Sequence, residues 1–267
     1  MKTVIAPVDF SETSRNALFF AAELCKRAFA RLVVINALQG GDEEKAKNEL
    51  EQIELSLKTF FGSDLRLDLS IAPGNLVDSL KEIINVERPD IIVMGTKGAS
   101  GLKRILLGSN TVNVIAQTDV PVFVIPEAAQ FENFIKKGKN RVVLATDLES
   151  LENEDILDVL KEITLLIIEP KIRVLSVRPK NTRLPYLKNM ERDALLSVFS
   201  PEVESERSTV FSRSVIGGVN YYLKTHKDTG LLAMIARDTG NLIQKHYTRE
   251  MASHTDLPML VLHDGKL

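Results

Sequence analysis

Short apolar runs rich in β-branched residues alternate along the chain with longer segments in which apolar residues recur every three or four positions. The short runs have the length of buried strands, and the longer segments have the periodicity of amphipathic helices. This alternation is typical of βαβ units around a parallel sheet. In the first half it predicts strands at Thr3–Val8, Arg31–Ala37, Leu65–Ile71, Asp90–Met94 and Val120–Ile125. The predicted helices between them are Ser11–Ala28, Asp42–Phe61, Asn75–Val86 and Ser109–Gln117.

The second half of the chain repeats the first. Arg141–Asp147 is similar to Thr3–Asp9, Gly230–Met234 to Asp90–Met94, and Thr255–Leu262 to Thr118–Ile125, at offsets of 138, 140 and 137 residues. Three matches in the same order at nearly one offset indicate an internal duplication. We therefore divide the chain into a first domain, residues 1–126, a polar linker, residues 127–139, and a second domain, residues 140–267.

Composition narrows the classes of function. The 267 residues are 44% apolar, and 34 basic against 36 acidic residues leave a net charge of −2. So small a charge argues against nucleic acid or an anionic membrane as the main partner. No apolar stretch has the length of a membrane span, and Pro7 and Asp9 interrupt the N-terminus before a signal sequence could form, so a cytoplasmic protein is expected. The single cysteine, Cys25, excludes an intrachain disulfide and is expected to pack as a small apolar residue.

A glycine-rich segment follows the fourth predicted strand. It contains Gly95, Gly98 and Gly101, and Gly108 then precedes Ser109 at the start of a helix. Glycines let a backbone approach a ligand closely, and the N–H groups at a helix start bind anions. The spacing is neither that of the Walker loop nor that of the dinucleotide fingerprint. Two interpretations stay open: a phosphate site, or a glycine turn followed by a helix that Ser109 caps.

Asp9 ends the first predicted strand and allows two roles. It could cap the helix that begins near Ser11, with Glu12 three residues on completing a capping box. Alternatively, its carboxylate accepts hydrogen bonds from an amine or hydroxyl of a ligand. Ligands of open parallel sheets lie beyond the carboxyl ends of the strands where the winding reverses, and both Asp9 and Gly95 follow such ends. If strands one and four are neighbours, the two residues face one crevice.

These residues together resemble a known family. Gly95, Gly98, Gly108 and Ser109 fit the pattern G-x-x-G-x(9)-G-[ST], accompanied by VIAPVDFS near the N-terminus and DVPVFVIP before the linker. The combination resembles the universal stress protein family, closely over residues 1–126 and more loosely over 141–264, so the chain is similar to a tandem universal stress protein. The resemblance implies an α/β fold of two repeated, open, parallel five-stranded sheets in the order 3-2-1-4-5, with helices on both faces. This fold is Rossmann-like, of the adenine nucleotide alpha hydrolase-like kind.

The resemblance also implies a ligand, ATP or alternatively AMP or ADP, with or without Mg²⁺, and the residues that hold it. Adenine would lie against Pro7, Val8 and Asp9, with Ile35 and Asn36 near the base and ribose. The ribose and phosphate turn would include Met94, Gly95 and Gly98. The phosphates would bind backbone N–H groups and hydroxyls of Gly108, Ser109, Asn110 and Thr111. The nearby Lys97, Lys103 and Arg104 either neutralise phosphate charge or are solvated surface residues.

The second domain departs from this pattern. Asp147 stands where the first domain has Asp9, but Asp238 replaces Gly98, and Lys245 and His246 replace Gly108 and Ser109. A carboxylate repels phosphate, so this domain is not expected to bind ATP. It is either a structural partner of the first domain or holds a pocket for a different small molecule. All four histidines lie in this half, at 226, 246, 254 and 263, without the spacing of a zinc site, and no metal ligands are expected.

Two functions of different classes remain. The first is a nucleotide-binding stress-response module whose occupancy alters how the protein pairs with others. The second is a non-catalytic scaffold with a vestigial nucleotide site. Slow ATP hydrolysis is a further alternative, although no catalytic residues are predicted. Because the family commonly pairs its fifth strand with a partner's, Val122–Ile125 and Met259–Leu262 are expected to meet inside the chain as a pseudo-dimer, and two chains are expected to form a homodimer.

Overall fold

Ten strands form one continuous sheet in the computed structural model, which describes residues 1–96, 108–135, 138–180, 182–237 and 257–265. The strand order is β3-β2-β1-β4-β5-β10-β9-β6-β7-β8. Each half of this order is the predicted 3-2-1-4-5, once in each direction. The two five-stranded sheets predicted from the sequence are thus halves of a single sheet, and the predicted α/β fold is confirmed.

The strands run parallel within each half. The inner strands, such as β1, β4 and β5, are continuous buried apolar runs because helices cover both faces of a parallel sheet, whereas the outer strands β3 and β8 are only partly buried. In the first half they are β1 Thr3–Pro7, β2 Arg31–Leu38, β3 Leu67–Pro73, β4 Ile91–Gly95 and β5 Val122–Ile125. In the second half they are β6 Arg141–Ala145, β7 Lys171–Arg178, β8 Glu204–Phe211, β9 Thr229–Arg237 and β10 Met259–Asp264.

The helices connect successive strands and lie close to the predicted positions. The first domain contains α1 Glu12–Ala28, α2 Glu43–Phe61, α3 Leu76–Glu87 and α4 Ser109–Gln117. The next helix, α5 Phe131–Ile135, lies between the halves. The second domain contains α6 Ile156–Leu165, α7 Tyr186–Phe199 and α8 Val215–Thr225.

The two halves are joined edge to edge. β5 pairs with β10 in antiparallel fashion, with Leu260 opposite Phe123 and Met259 opposite Val124. This pairing is the internal pseudo-dimer that the sequence predicted. Both strands are fully buried, so the contact hides two apolar edges that would otherwise be templates for association.

The predicted linker is more structured than its polar composition indicated. Phe131 and Phe134 in α5 are each 2% exposed. The Phe131 ring lies 5.3 Å from that of Phe20 in α1, and the Phe134 ring lies 5.8 Å from that of Phe123 in β5. Two aromatic residues spaced at i and i+3 therefore bury part of this segment in the core. The sequence interpretation missed this helix because it considered only polar composition and the lack of strand character.

Two apolar clusters, one on each face, form the core. Both include residues of both halves, so the halves share their interior. Cys25 is 1% exposed in α1, and burial in apolar surroundings raises the pKa of its thiol to about 12, as befits a packing residue. Among the described residues, no helix is long and apolar enough to cross a membrane.

Candidate functional site

A cleft of about 310 Å³ opens at the carboxyl ends of β1 and β4, where the winding of the first half reverses. This is the place at which open parallel sheets bind ligands. The cleft lies between the ends of the first four strands and the starts of α1, α3 and α4. Its described lining carries one carboxylate, Asp9, and no lysine or arginine side chain. The lining residues are Pro7, Val8, Asp9, Ser14, Ala37, Gln39, Gly74, Asn75, Leu76, Met94, Gly95, Gly108, Ser109, Asn110 and Thr111.

Asp9 is held at the cleft by the cap of α1 and is not itself that cap. The N-cap is Ser11, whose side chain accepts a hydrogen bond from the N–H of Ser14. Ser11 in turn donates its N–H to Oδ1 of Asp9 across 3.1 Å and its hydroxyl to the same oxygen across 2.6 Å. The interpretation of Asp9 as a capping residue is therefore wrong. Two donors on one oxygen fix the orientation of a carboxylate that lines the cleft.

The backbone of Val8 is paired with β2. Its N–H donates to the carbonyl oxygen of Ile35 across 2.8 Å, and its own carbonyl oxygen accepts from Nδ2 of Asn36 across 2.9 Å. Ile35 is fully buried and Asn36 is 5% exposed, and neither lines the cleft. The expectation that both lie beside a base is corrected. They support Val8 from behind, and Ala37 and Gln39 provide the cleft wall at this strand end.

Helix α4 begins at the cleft without a side-chain cap. Its N-cap is Gly108, which has no side chain, and no cap hydrogen bond is made there. In contrast, Ser11, Asp42 and Asn75 cap α1, α2 and α3 through their side chains. The alternative in which Ser109 caps the helix is therefore wrong, because Ser109 is its first helical residue. The N–H groups of the first turn have no partner inside a helix, and Gly108 offers them no side chain, so they are candidate donors for a ligand.

Gly95 and Thr111 hold β4, α1 and α4 together at the cleft floor. A Cβ atom on Gly95 would lie 2.7 Å from Cγ2 and 2.8 Å from the carbonyl oxygen of Thr13, so only glycine lets α1 approach β4 this closely. The Thr111 hydroxyl donates to the carbonyl oxygen of Gly95 across 2.8 Å. Thr111, predicted to offer its hydroxyl to phosphate, thus donates that proton to β4, and its backbone N–H remains in the first turn of α4.

The structure brings most of the predicted site together and adds residues that were missed. Nine of the predicted residues line the cleft: Pro7, Val8, Asp9, Met94, Gly95, Gly108, Ser109, Asn110 and Thr111. Gly98 lies outside the described residues, as do Lys97, Lys103 and Arg104. The missed residues include Gly74, Asn75 and Leu76, which follow the carboxyl end of β3. The sequence did carry a signal for these three residues. A glycine and the N-cap asparagine of α3 follow β3, much as Asp9 and the N-cap Ser11 follow β1.

At the matching place in the second half, an arginine side chain contacts the counterpart of Asp9. Arg237, at the end of β9, is 7% exposed. Its guanidinium donates to the carbonyl oxygens of Ser150 and Glu149 across 2.9 and 2.6 Å. The Nε atom lies 3.8 Å from Oδ1 of Asp147 and 3.4 Å from Oδ2 of Asp264. Asp238, Lys245 and His246 lie outside the described residues.

The described residues contain no group of three or more acidic, histidine or cysteine side chains that could hold a metal ion. His226 stacks on Tyr222 with 3.9 Å between the ring centroids, and His263 lies buried against α4. His246 and His254 are outside the described part of the chain.

Comparisons with known proteins agree with this fold. The model of the universal stress protein family matches residues 1–126. A universal stress protein of Methanocaldococcus jannaschii is 37% identical over 90 residues, which span 34% of this chain and 54% of that protein. One from Thermus aquaticus is 27% identical over 135 residues, which span 46% of this chain and 98% of that protein. The crystal structure of a universal stress protein from Archaeoglobus fulgidus superposes with a TM-score of 0.74 at 18% identity over 98% of both chains and shows the same fold.

Proposed function

We propose, from the match of residues 1–126 to the universal stress protein family and from the geometry of the cleft, that the first half binds an adenine nucleotide, with ATP as the ligand. The second half repeats the same strand order and forms the other half of a tandem chain. Binding of the nucleotide would alter how the protein pairs with others in a stress response.

The observation that carries this proposal is the uncapped start of α4 at the cleft. Three N–H groups, of Ser109, Asn110 and Thr111, occupy the first turn of a nine-residue helix. Such a turn carries the positive end of the helix dipole and binds phosphate. Gly108 adds no side chain that could compete for these donors. A phosphate at this position would accept from N–H groups to which Gly108 offers no side-chain cap.

The other end of the cleft suits a purine base. The Asp9 carboxylate, oriented by Ser11, would accept a hydrogen bond from an exocyclic amino group, which adenine carries. Ala37 lies on the wall at the end of β2, and Leu76 lies at the start of α3. A cleft of about 310 Å³ is at the lower end of the range of small-molecule sites. Mg²⁺, if it accompanies ATP, would be held mainly by the phosphates and water.

We expect the second half to bind no nucleotide. The carboxylate that would receive the base, Asp147, is part of the cluster around the buried Arg237 guanidinium. An incoming base would have to displace a side chain that donates to two carbonyl oxygens and lies near two carboxylates. Removing one member of such a buried charged cluster is costly.

The proposed homodimer of two tandem chains must use a new surface. The fifth strands of both halves pair with each other inside the chain, so these edges are not available for a second copy. Sedimentation checks this part of the proposal. The dimer predicts a species of twice the chain mass of 29.7 kDa, and a monomer at every concentration would contradict it.

Calorimetric titration of the full chain with ATP and Mg²⁺ tests the proposal. Asp9→Ala and Gly108→Val are expected to abolish binding. The Gly108 backbone, at φ −56° and ψ 144°, is accessible to valine, so this variant should fold. Asp147→Ala is the matched control, because it removes the equivalent carboxylate of the second half and should leave the affinity unchanged. Unchanged affinity in both first-half variants would overturn the proposal.

A further inference from the structure

A buried hydrogen bond from the second half ends on the helix that opens at the cleft of the first half. Nε2 of His263, in β10, lies 2.9 Å from the carbonyl oxygen of Ile115, in α4. Because a carbonyl only accepts, Nε2 carries the proton and donates. His263 is 5% exposed and Ile115 is 1% exposed, so the bond forms away from water. Losing it would leave a buried carbonyl without this donor.

The bond from His263 pairs a carbonyl group at the carboxyl end of α4. The last four carbonyl groups of a helix have no donor from a following turn. α4 ends at Gln117, and the N–H of the next residue, Thr118, donates to Val114. Ile115 is the first residue whose carbonyl depends on a donor from elsewhere, and the donor is His263.

We propose that the second half positions α4 for phosphate binding through His263. The helix is nine residues long, or about 14 Å, so a shift at its carboxyl end reaches the N–H groups of the first turn as a rigid-body movement. At the cleft end, Thr111 ties the same helix to Gly95. His263 is thus a positioning residue for a site in the other half of the chain. This inference rests on the proposed nucleotide function.

The residue of the first half that corresponds to His263 cannot make the reciprocal contact. In the internal repeat, His263 corresponds to Pro126 of the first half, at the offset of 137 residues that relates Thr255–Leu262 to Thr118–Ile125. Proline has no side-chain donor, so residue 126 cannot make the reciprocal bond. The half that is not expected to bind nucleotide therefore supplies the donor that supports the half that is.

Titrations of the full chain with ATP and with adenosine separate positioning from general stability. The α4 N-terminus would contact only the phosphates, so His263→Leu is expected to weaken ATP binding by roughly two- to tenfold, the range of one hydrogen bond, and to leave adenosine affinity unchanged. His263→Gln, which keeps an N–H donor, is expected to recover part of the ATP affinity. Val261→Ala is the matched control, because it perturbs the same face of β10 without removing the bond; it should lower the melting temperature and leave the ratio of the two affinities unchanged.

Each result decides the inference. An unchanged ratio of ATP to adenosine affinity in His263→Leu overturns it, while the proposed function stands if the wild-type chain binds ATP. A wild-type chain that binds neither ligand overturns both. If His263→Leu fails to fold, His263→Asn carries the test, because its shorter side chain reaches less far toward Ile115, and the same shift in the ratio is expected.

Discussion

The hydroxyl of Thr111 donates a hydrogen bond to the carbonyl oxygen of Gly95 across 2.8 Å and so ties the first turn of α4 to the end of β4. Thr111 is 3% exposed, so this bond is shielded from water. It fixes the position of the uncapped N–H groups relative to the strand ends. The geometry of the proposed phosphate site therefore depends on the Thr111 side chain, although its hydroxyl donates to Gly95 rather than to the phosphate.

Replacing Thr111 by valine tests this dependence. The side chain keeps its shape and loses the donor, so the free energy of unfolding should fall by about 1–2 kcal/mol and ATP should bind more weakly. Thr111→Ser keeps the hydroxyl and should retain most of the ATP affinity. Urea denaturation and calorimetry measure the two effects. Equal ATP affinity in the valine variant and the wild type would contradict this role of the bond.

Gly95 is required by packing at the cleft floor. In Gly95→Ala, the added Cβ would meet the carbonyl oxygen of Thr13 at 2.8 Å, and backbone yields less easily than a side chain. The variant should lose roughly 1–3 kcal/mol of stability or more. Gly74→Ala is the comparison, since Gly74 lines the same cleft and a Cβ there meets nothing within 4 Å. Its φ of +96° should still cost about 1 kcal/mol. Thermal or urea unfolding measures both losses of stability. A larger loss in Gly74→Ala than in Gly95→Ala would contradict the claim that the close approach of Thr13 to β4 requires glycine at residue 95.

Apolar runs predicted the strands and helices, the family resemblance implied the sheet order, and the glycines and polar residues at strand ends indicated the place of the cleft. The predicted helix Ser109–Gln117 has the observed bounds. The placement of Ile35 and Asn36 beside a base came from the family resemblance. In the structure β2 continues to Leu38, and the residues near its end that line the cleft are Ala37 and Gln39.

Other features depend on contacts between distant parts of the chain. The donors to Asp9 are local, the N–H and the hydroxyl of Ser11, but they distinguish orientation from capping only once α1 is placed. The contact of Arg237 with Asp147 and Asp264 joins residues far apart in sequence, and no local motif marks it. The contact of His263 with Ile115 spans 148 residues and required the joined sheet.

The buried Arg237 cluster should contribute strongly to the stability of the second half. Arg237→Ala leaves Asp264, whose side chain is 1% exposed, without its guanidinium neighbour and should cost about 3–5 kcal/mol. Low millimolar methylguanidinium should raise the melting temperature of this variant and not that of the wild type. Arg207→Ala is the control, because both partners of its ion pair with Asp193 are 62% exposed. Comparable losses in the two variants would contradict the account.

Cys25 gives a prediction for alkaline pH. Burial raises the pKa of its thiol from 9.0 to about 12, so the folded state keeps the proton that the unfolded state loses. The stabilising contribution is complete below pH 9 and is lost as the pH rises toward 12, by up to about 1.4 kcal/mol per pH unit. Urea titrations of the wild type and Cys25→Ala between pH 8 and pH 11 should show a steeper decline in the wild type. Parallel declines, or rapid reaction of the native thiol with a thiol reagent, would be inconsistent with this burial.

The central claim is that one nucleotide binds per chain, in the first half. The most direct measurement is to denature the freshly purified protein, identify any released nucleotide by mass, and then titrate the stripped protein with ATP and Mg²⁺. We predict an adenine nucleotide in the released fraction and one site per chain, which Gly108→Val removes and Asp147→Ala keeps. Absence of both nucleotide and binding heat, or two equivalent sites per chain, would contradict it.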